Sequence, residues 1–176
     1  MKEMKKMKGM KRMKEVFFCL IIMSISVLFQ ACSKNDDSAN SEWRQQNEAY
    51  FNSFANNKDY VKREIPGGPD HIYYKELHRG EGATPIEGPD VKVQVRYKGW
   101  MMNEVVFDST GEYTRTFTFQ SGQLIDGWMV ALAYMKEGDK WNVVIPWTLG
   151  YKQNGSGAIP AFSTLIFDIE LVKVIE

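Results

Sequence analysis

The sequence predicts an α+β domain in which an antiparallel sheet of five to six strands packs against a single short helix. From residue 70 onward, short segments rich in β-branched and aromatic residues are separated by turns that contain glycine. One of these segments, VKVQVRYKGW (91–100), alternates apolar and polar residues, which is typical of a half-buried strand. Within this part of the chain one short segment after residue 125, GWMVALAYM, has the spacing of a helix.

The first 31 residues have the organisation of an export signal peptide. A segment with seven Lys or Arg and two Glu (1–15) precedes the apolar run VFFCLIIMSISVLF (16–29), which is shorter than the roughly 20 residues that a membrane span requires. The following LFQAC resembles a bacterial lipobox, which predicts cleavage before Cys32 and lipidation of its thiol. The alternative is an ordinary signal peptide that is cleaved nearby and leaves Cys32 as a free thiol.

The predicted mature chain, which starts at Cys32, is acidic. It has 15 Lys or Arg and 20 Asp or Glu, a net charge of −5, which argues against nucleic acid as a partner. Cys19 lies in the discarded signal peptide, so no disulfide is possible within the mature chain.

Residues 32–69 are interpreted as a polar tether followed by a short helix. The acidic SKNDDSANSE resembles signals that direct some lipoproteins to the outer face of the membrane, and a plain spacer is the alternative. The next segment, up to about residue 64, predicts an amphipathic helix whose aromatic residues pack on the domain: Trp43, Tyr50, Phe51 and Phe54. IPGGPD (65–70) ends this helix, so residues 70–176 form the predicted domain.

Six strands and one helix are predicted within the domain. The helix follows Asp126, which is expected to be its N-cap. A glycine-rich loop, WTLGYKQNGSGAIPAF (147–162), separates the last two strands. The predicted strands are HIYYKEL (71–77), VKVQVRYKGW (91–100), EVVFDS (104–109), TRTFTFQ (114–120), WNVVIP (141–146) and STLIFDIELVKVI (163–175).

The residues of the domain offer little for covalent, acid–base or metal chemistry. His71 and His78 lie seven residues apart, on opposite sides of the first strand, and are interpreted as surface residues. No zinc-type spacing or phosphate-binding loop is present, so we predict neither a metal nor a cofactor. Asp108, set between apolar residues and two hydroxyls, is either a functional carboxylate or a turn former.

The aromatic residues are too numerous for so small a core. Some are therefore expected to line an apolar cleft between the sheet and the start of the helix, the alternative being that all are core. The residues concerned are Trp100, Phe107, Phe117, Trp128, Tyr151, Phe162 and Phe167. Such a cleft can catalyse rotation about a prolyl peptide bond without a nucleophile or base, because the twisted amide has lost its resonance and is less polar than the planar one.

Six segments between Val91 and Glu176 together resemble the peptidyl-prolyl cis-trans isomerases of the FKBP type. They are VQVRYKGW, VVFDST, FTFQSGQLIDGWMVAL, MKEGDKWNVVIP, LGY and AIPAFSTLIFDIEL, in the order and nearly the spacing of that family. The resemblance implies a sheet wrapped around one short helix and isomerase activity on proline-containing polypeptides, with macrolide immunosuppressants as possible ligands.

The resemblance also implies a set of pocket residues. Those expected to be catalytic are Tyr97, Asp108, Ile125, Tyr151 and Phe167, with the Ile125 amide and the Tyr151 hydroxyl bonding substrate backbone. Those expected to bind substrate are Phe107, Phe117, Leu124, Trp128 and Ile159, with Trp128 as the floor on which the proline ring rests.

Several residues near the pocket depart from the family pattern. Lys152 stands where the family usually has glycine, and Trp147 and Thr148 replace the usual turn residues. Ala161 and Phe162 follow Pro160, where the family commonly has a second proline and a polar residue. With the signal sequence, the resemblance predicts a lipid-anchored isomerase of the bacterial envelope, with the outer membrane as its location, that assists folding of exported proteins. The alternative is a non-catalytic chaperone or assembly module that holds proline-containing segments.

Overall fold

The computed structural model describes residues 34–65 and 67–175, with side chains from Ser38 onward. The predicted signal peptide and the predicted lipidation site, Cys32, lie outside these residues. Residues 42–176 form one compact unit, to which the packing below refers. Neither α-helix in the described part of the chain is long and apolar enough to cross a membrane. The elements are α1 (Lys34–Ser53), β1 (Val61–Glu64), β2 (His71–His78), β3 (Lys92–Met101), β4 (Val106–Ser109), β5 (Arg115–Thr118), α2 (Asp126–Leu132), β6 (Lys140–Ile145) and β7 (Leu165–Ile175).

The seven strands form one antiparallel sheet, which confirms the predicted fold class. Their order is β1-β2-β6-β7-β3-β4, and β5 pairs with β3 beside β4. The longest pairing joins β3 to β7, from Lys92 opposite Ile175 to Met101 opposite Leu165. The predicted alternation of β3 is present, since Val93, Val95 and other alternate residues are buried.

The seventh strand, β1, lies where the sequence predicted a continuing helix. Helix α1 ends at Ser53, a single 3₁₀ turn follows, and the chain then turns at Asn57, whose side chain accepts a hydrogen bond from the Asp59 amide at 3.0 Å. Such local side-chain bonds compete with helical ones, so the helix does not continue to residue 64. The helix also begins at Lys34, within the segment predicted to be a tether.

The aromatic residues of α1 and of the 3₁₀ turn that follows it pack on the sheet, as predicted. Phe51 is buried against Tyr73, Val144 and Ile166, while Tyr50 and Phe54 pack at the margin of this cluster. These contacts cover the face of the sheet opposite α2, because Val144 and Ile166 alternate with strand residues that belong to the main core.

Two further expectations from the sequence were wrong in detail. The N-cap of α2 is Ile125, and Asp126 is the first helical residue, where it forms an ion pair with Lys152 at 3.1 Å. His71 is half-buried against Phe51 and Tyr73, and burial lowers the pKa of its imidazole. It is therefore a packing residue at the edge of the core. His78 is exposed, as expected.

Candidate functional site

An open cleft of about 610 Å³ lies beside the start of α2. Trp128 lines it although the residue is only 4% exposed, so a small part of the indole faces the opening. Three rings surround the indole edge to face: Tyr97 at 5.0 Å, Phe167 at 5.3 Å and Phe117 at 5.8 Å between centroids. These ring contacts favour one orientation of the indole and leave the cleft open beside it.

All ten pocket residues named from the sequence line this one cleft. They come from strands β3, β4, β5 and β7, from the start of α2 and from the loop between β6 and β7: Tyr97, Phe107, Asp108, Phe117, Leu124, Ile125, Trp128, Tyr151, Ile159 and Phe167. Two other aromatic residues considered for a cleft lie elsewhere. Trp100 packs at the margin of the cluster under α1, and Phe162 packs against Trp147.

A network of polar side chains lies at one wall of the cleft. The Tyr97 hydroxyl donates to Asp108 Oδ2 at 2.5 Å, and Arg115 Nη1 donates to the Tyr97 hydroxyl at 2.6 Å and to the same carboxylate oxygen at 3.2 Å. Asp108 Oδ1 also accepts from the Ser109 amide at 2.8 Å. Asp108 thus accepts from its neighbour's backbone amide, as a turn former does, and also accepts from the hydroxyl of a tyrosine in the cleft.

Arg115 is the cleft residue with a formal charge that the sequence analysis missed. It lies two residues before Phe117 on β5, and residues two apart on a strand face the same side. That spacing is the signal that could have identified it. Gly122, Gln123 and Ser156–Ala158 complete the lining.

The cleft keeps its tyrosines neutral and its carboxylate ionised. Burial, together with the hydrogen bond to Asp108, raises the pKa of Tyr97 far above its ordinary value, and burial raises the pKa of Tyr151. Burial alone would raise the pKa of Asp108, but the hydrogen bond from Tyr97 and the charge of Arg115 outweigh it and lower that pKa.

These pKa shifts predict that kcat/KM for a reaction in the cleft does not depend on pH near neutrality. The ordinary pKa of an aspartate is about 3.9 and that of a tyrosine is about 10, and here the aspartate pKa is lowered and the tyrosine pKa values are raised. None of the three groups therefore changes its charge between about pH 5 and pH 9. The interactions of ionised Asp108 stabilise the fold at any pH above the ordinary aspartate pKa. This stabilisation is lost as the pH falls through the lower pKa that Asp108 has in the folded protein. A measured kcat/KM that follows a bell-shaped curve across this range would contradict the prediction.

The loop between β6 and β7 carries Tyr151 and Ile159 to the cleft, and two of its non-glycine residues lie in the left-handed region. Lys152 has φ +56° and Phe162 has φ +60°, conformations that favour glycine. The Phe162 amide donates to the Lys152 carbonyl at 2.9 Å, which closes the part of the loop between these two residues. The chain thus retains at Lys152 the backbone conformation that a glycine would adopt, at the cost of local strain.

The fold and the cleft define a class of protein: a small antiparallel-sheet domain that holds its ligand in an aromatic pocket next to one short helix. Residues 84–172 match the family model described as FKBP-type peptidyl-prolyl cis-trans isomerase. The chain belongs to this family, and it is a peptidyl-prolyl cis-trans isomerase.

Related sequences agree with this assignment. The macrophage infectivity potentiator of Trypanosoma cruzi is 32% identical over 168 residues, covering 91% of this chain and 83% of the relative. The FK506-binding protein of Neisseria meningitidis serogroup B is 39% identical over 108 residues, covering 60% of this chain and 97% of the relative.

Solved structures resemble the fold as well. The crystal structure of FkpA from Escherichia coli has a TM-score of 0.68 at 29% identity and covers 92% of this chain and 72% of that one. A peptidyl-prolyl cis-trans isomerase from Pseudomonas syringae has a TM-score of 0.67 at 28% identity, covering 77% of this chain and 96% of that one.

Proposed function

We propose that this isomerase assists the folding of exported proteins and that it seats the proline ring of its substrate on Trp128. The observation that carries the proposal is the open cleft with an indole at its base, enclosed edge to face by Tyr97, Phe117 and Phe167. The cleft offers apolar surface for a pyrrolidine ring and a few polar groups for the flanking peptide.

The chemistry follows from the difference between the planar and the twisted amide. The planar form is stabilised by resonance, carries charge on its oxygen and is well solvated, whereas the twisted form is less polar. An apolar pocket therefore binds the twisted form in preference, and only such preferential binding accelerates the reaction. Each tenfold of acceleration requires about 1.4 kcal/mol of preference.

Each polar group then has a positioning task. The backbone N–H of Ile125 donates to the substrate carbonyl, and the Tyr151 hydroxyl donates to substrate backbone, a task for which its raised pKa keeps the proton in place. Asp108 and Arg115 hold the Tyr97 hydroxyl in the wall of the cleft. Phe107, Leu124, Ile159 and Phe167 supply the apolar walls.

Loss of the Tyr151 hydroxyl is expected to lower kcat/KM by about three- to tenfold, the effect of one hydrogen bond. The measurement is a protease-coupled assay on a proline peptide with the Tyr151→Phe variant. The matched control is Tyr113→Phe, since Tyr113 is 82% exposed and lies outside the cleft. Equal rates for both variants and the original chain would show that the Tyr151 hydroxyl does not bond the substrate.

We further propose that Cys32 is lipidated and that the lipid anchors the isomerase in the outer membrane. Support comes from the signal-like N terminus and from a relative in Legionella longbeachae whose name is outer membrane protein MIP, 39% identical over 107 residues. Intact-mass measurement of the membrane-extracted protein should show diacylation that Cys32→Ser removes and Cys19→Ser leaves in place. A mass that fits an unmodified chain would contradict the anchor.

Macrolide immunosuppressants are proposed to occupy the same cleft. The relative named FK506-binding protein is similar over the domain, and the aromatic lining provides the apolar surface such ligands require. Competitive inhibition of the isomerase by FK506 is the expected result, and an unchanged rate at saturating FK506 would contradict it.

A further inference from the structure

The N-terminal helix α1 contacts the loop that carries Tyr151. Four of its residues, Trp43, Arg44, Asn47 and Glu48, recur at the spacing of one helical face. Each makes a contact with the chain between residues 147 and 164, about 100 residues or more away in sequence. This region of α1 lies outside the segment that matches the family model.

Arg44 lies against two aromatic rings of the loop. Its guanidinium carbon is 4.9 Å from the centroid of the Trp147 ring and 4.9 Å from that of the Phe162 ring. The two rings themselves pack edge to face at 5.1 Å. A guanidinium within about 6 Å of a ring centroid is attracted by the ring's electron density, so Arg44 holds both rings at once.

Glu48 fixes this arrangement. Its Oε1 accepts hydrogen bonds from Arg44 Nε at 2.8 Å and from Trp147 Nε1 at 3.1 Å. The hydrogen bond from Arg44 lowers the pKa of the Glu48 carboxyl, which therefore stays ionised beside the guanidinium at neutral pH. The carboxylate thus orients both the arginine and the indole.

The far end of the loop is held by the same helical face. Trp43 Nε1 donates to Ser163 Oγ at 3.2 Å, and the buried Asn47 accepts from the Thr164 amide at 2.7 Å. The Asn47 carbonyl also accepts from Thr164 Oγ1 at 3.0 Å. These bonds anchor the point at which the loop enters β7.

The two rings beneath Arg44 belong to the residues that bracket Lys152. The Lys152 amide donates to the Trp147 carbonyl at 3.0 Å, and the Lys152 carbonyl accepts from the Phe162 amide at 2.9 Å. Lys152 is in the left-handed region, which a lysine adopts at a cost, so the surrounding contacts must maintain it. Tyr151 directly precedes it and faces the cleft.

We propose that Arg44 and Glu48 are positioning residues that act through Trp147 and Phe162 to hold Lys152 in its left-handed conformation and thereby the Tyr151 hydroxyl over the cleft. The inference rests on the proposed role of Tyr151. It makes α1 a part of the isomerase site and assigns a function to the aromatic residues at 147 and 162, which depart from the family pattern.

Arg44→Ala is expected to lower kcat/KM about three- to fivefold, as the loss of a cation–π contact of this kind would. The matched control is Gln45→Ala, an exposed neighbour on α1, which should leave kcat/KM unchanged. Hydrogen exchange of the full chain should become faster at the loop amides of Gly155 and Phe162 and stay unchanged in β6. An unchanged exchange rate in the loop, or equal effects of the two variants, would overturn the proposal.

A double-variant cycle separates positioning from general structural support. If Arg44 acts through Tyr151, Arg44→Ala should have no further effect on kcat/KM in the Tyr151→Phe background. An equal fold-change in both backgrounds would overturn the proposal. Arg44→Lys, which keeps the charge but lacks the planar guanidinium, should recover less than half of the lost rate and serves as the test variant if Arg44→Ala does not fold.

The same cycle distinguishes failure of this inference from failure of the proposed site. If Tyr151→Phe alone leaves kcat/KM unchanged while the original chain is active, the role of Tyr151 is wrong, and the inference falls with it. If Tyr151→Phe lowers the rate and Arg44→Ala does not, the site stands and only the inference is overturned.

Discussion

Replacement of Trp128 by alanine is expected to bring the isomerase rate down to the uncatalysed background. The indole is the base of the cleft and contacts three rings edge to face, so its loss leaves the proline ring without a surface and the Tyr97, Phe117 and Phe167 rings without support. The free energy of unfolding should also fall by about 3–5 kcal/mol, as for other buried tryptophans.

Two further variants separate the loss of the site from the loss of stability. Trp128→Leu keeps an apolar side chain at the base and should retain more stability, yet its smaller surface is expected to lower kcat/KM about 100-fold or more, equivalent to about 2.7 kcal/mol. Met135→Ala should cost about 2–5 kcal/mol of stability, because Met135 is fully buried, but should keep its rate because Met135 lies outside the cleft.

The measurements are kcat/KM in the protease-coupled assay and urea unfolding of each variant at one temperature. A folded Trp128→Leu protein with an undiminished rate would contradict the role of the indole as a platform. A Met135→Ala protein that loses its rate while still folded would show that activity follows stability and not the cleft.

The strands of the domain could be predicted because their signals are local. The alternation in β3 and the apolar run in β7 follow from which side chains face the core, and the structure has both strands where the pattern indicates. Strand β1 could not be predicted in this way. Its four residues have no apolar alternation, and they form a strand because β2 offers them an edge to pair with.

The cleft was predictable to the extent that its residues occur in recognisable segments. Its apolar lining follows from six such segments, whereas Arg115 lies just before the one that starts at Phe117 and was missed. The packing of α1 on the domain was predicted from its aromatic residues, but the polar partners of the helix were not, because residues such as Trp43 and Ser163 are 120 residues apart and meet only once the sheet has formed. Asp126 looked like a cap by residue type, but the backbone places Ile125 at that position.

Gly99 in β3 lies against two walls of the cleft, and Gly99→Ala is expected to narrow it. A Cβ at this position would lie 2.6 Å from a ring carbon of Phe167 and 2.7 Å from one of Phe107, closer than real Cβ atoms approach other atoms. Both rings line the cleft and pack edge to face at 5.4 Å, so neither can move without displacing the other. The added methyl group should therefore push one ring into the space that the proline occupies.

We expect Gly99→Ala to lower kcat/KM by about tenfold or more, equivalent to at least about 1.4 kcal/mol, and to lower the free energy of unfolding by about 1–3 kcal/mol, the usual cost of overpacking. The control is Gly88→Ala, where a Cβ would meet only a methyl group of Val91 at an ordinary 3.8 Å and neither quantity should change. The test is informative because it removes no group that touches substrate. If the Gly99→Ala protein folds and isomerises at the original rate, the aromatic walls do not define the space in which the amide turns, and shape cannot be the source of the catalysis.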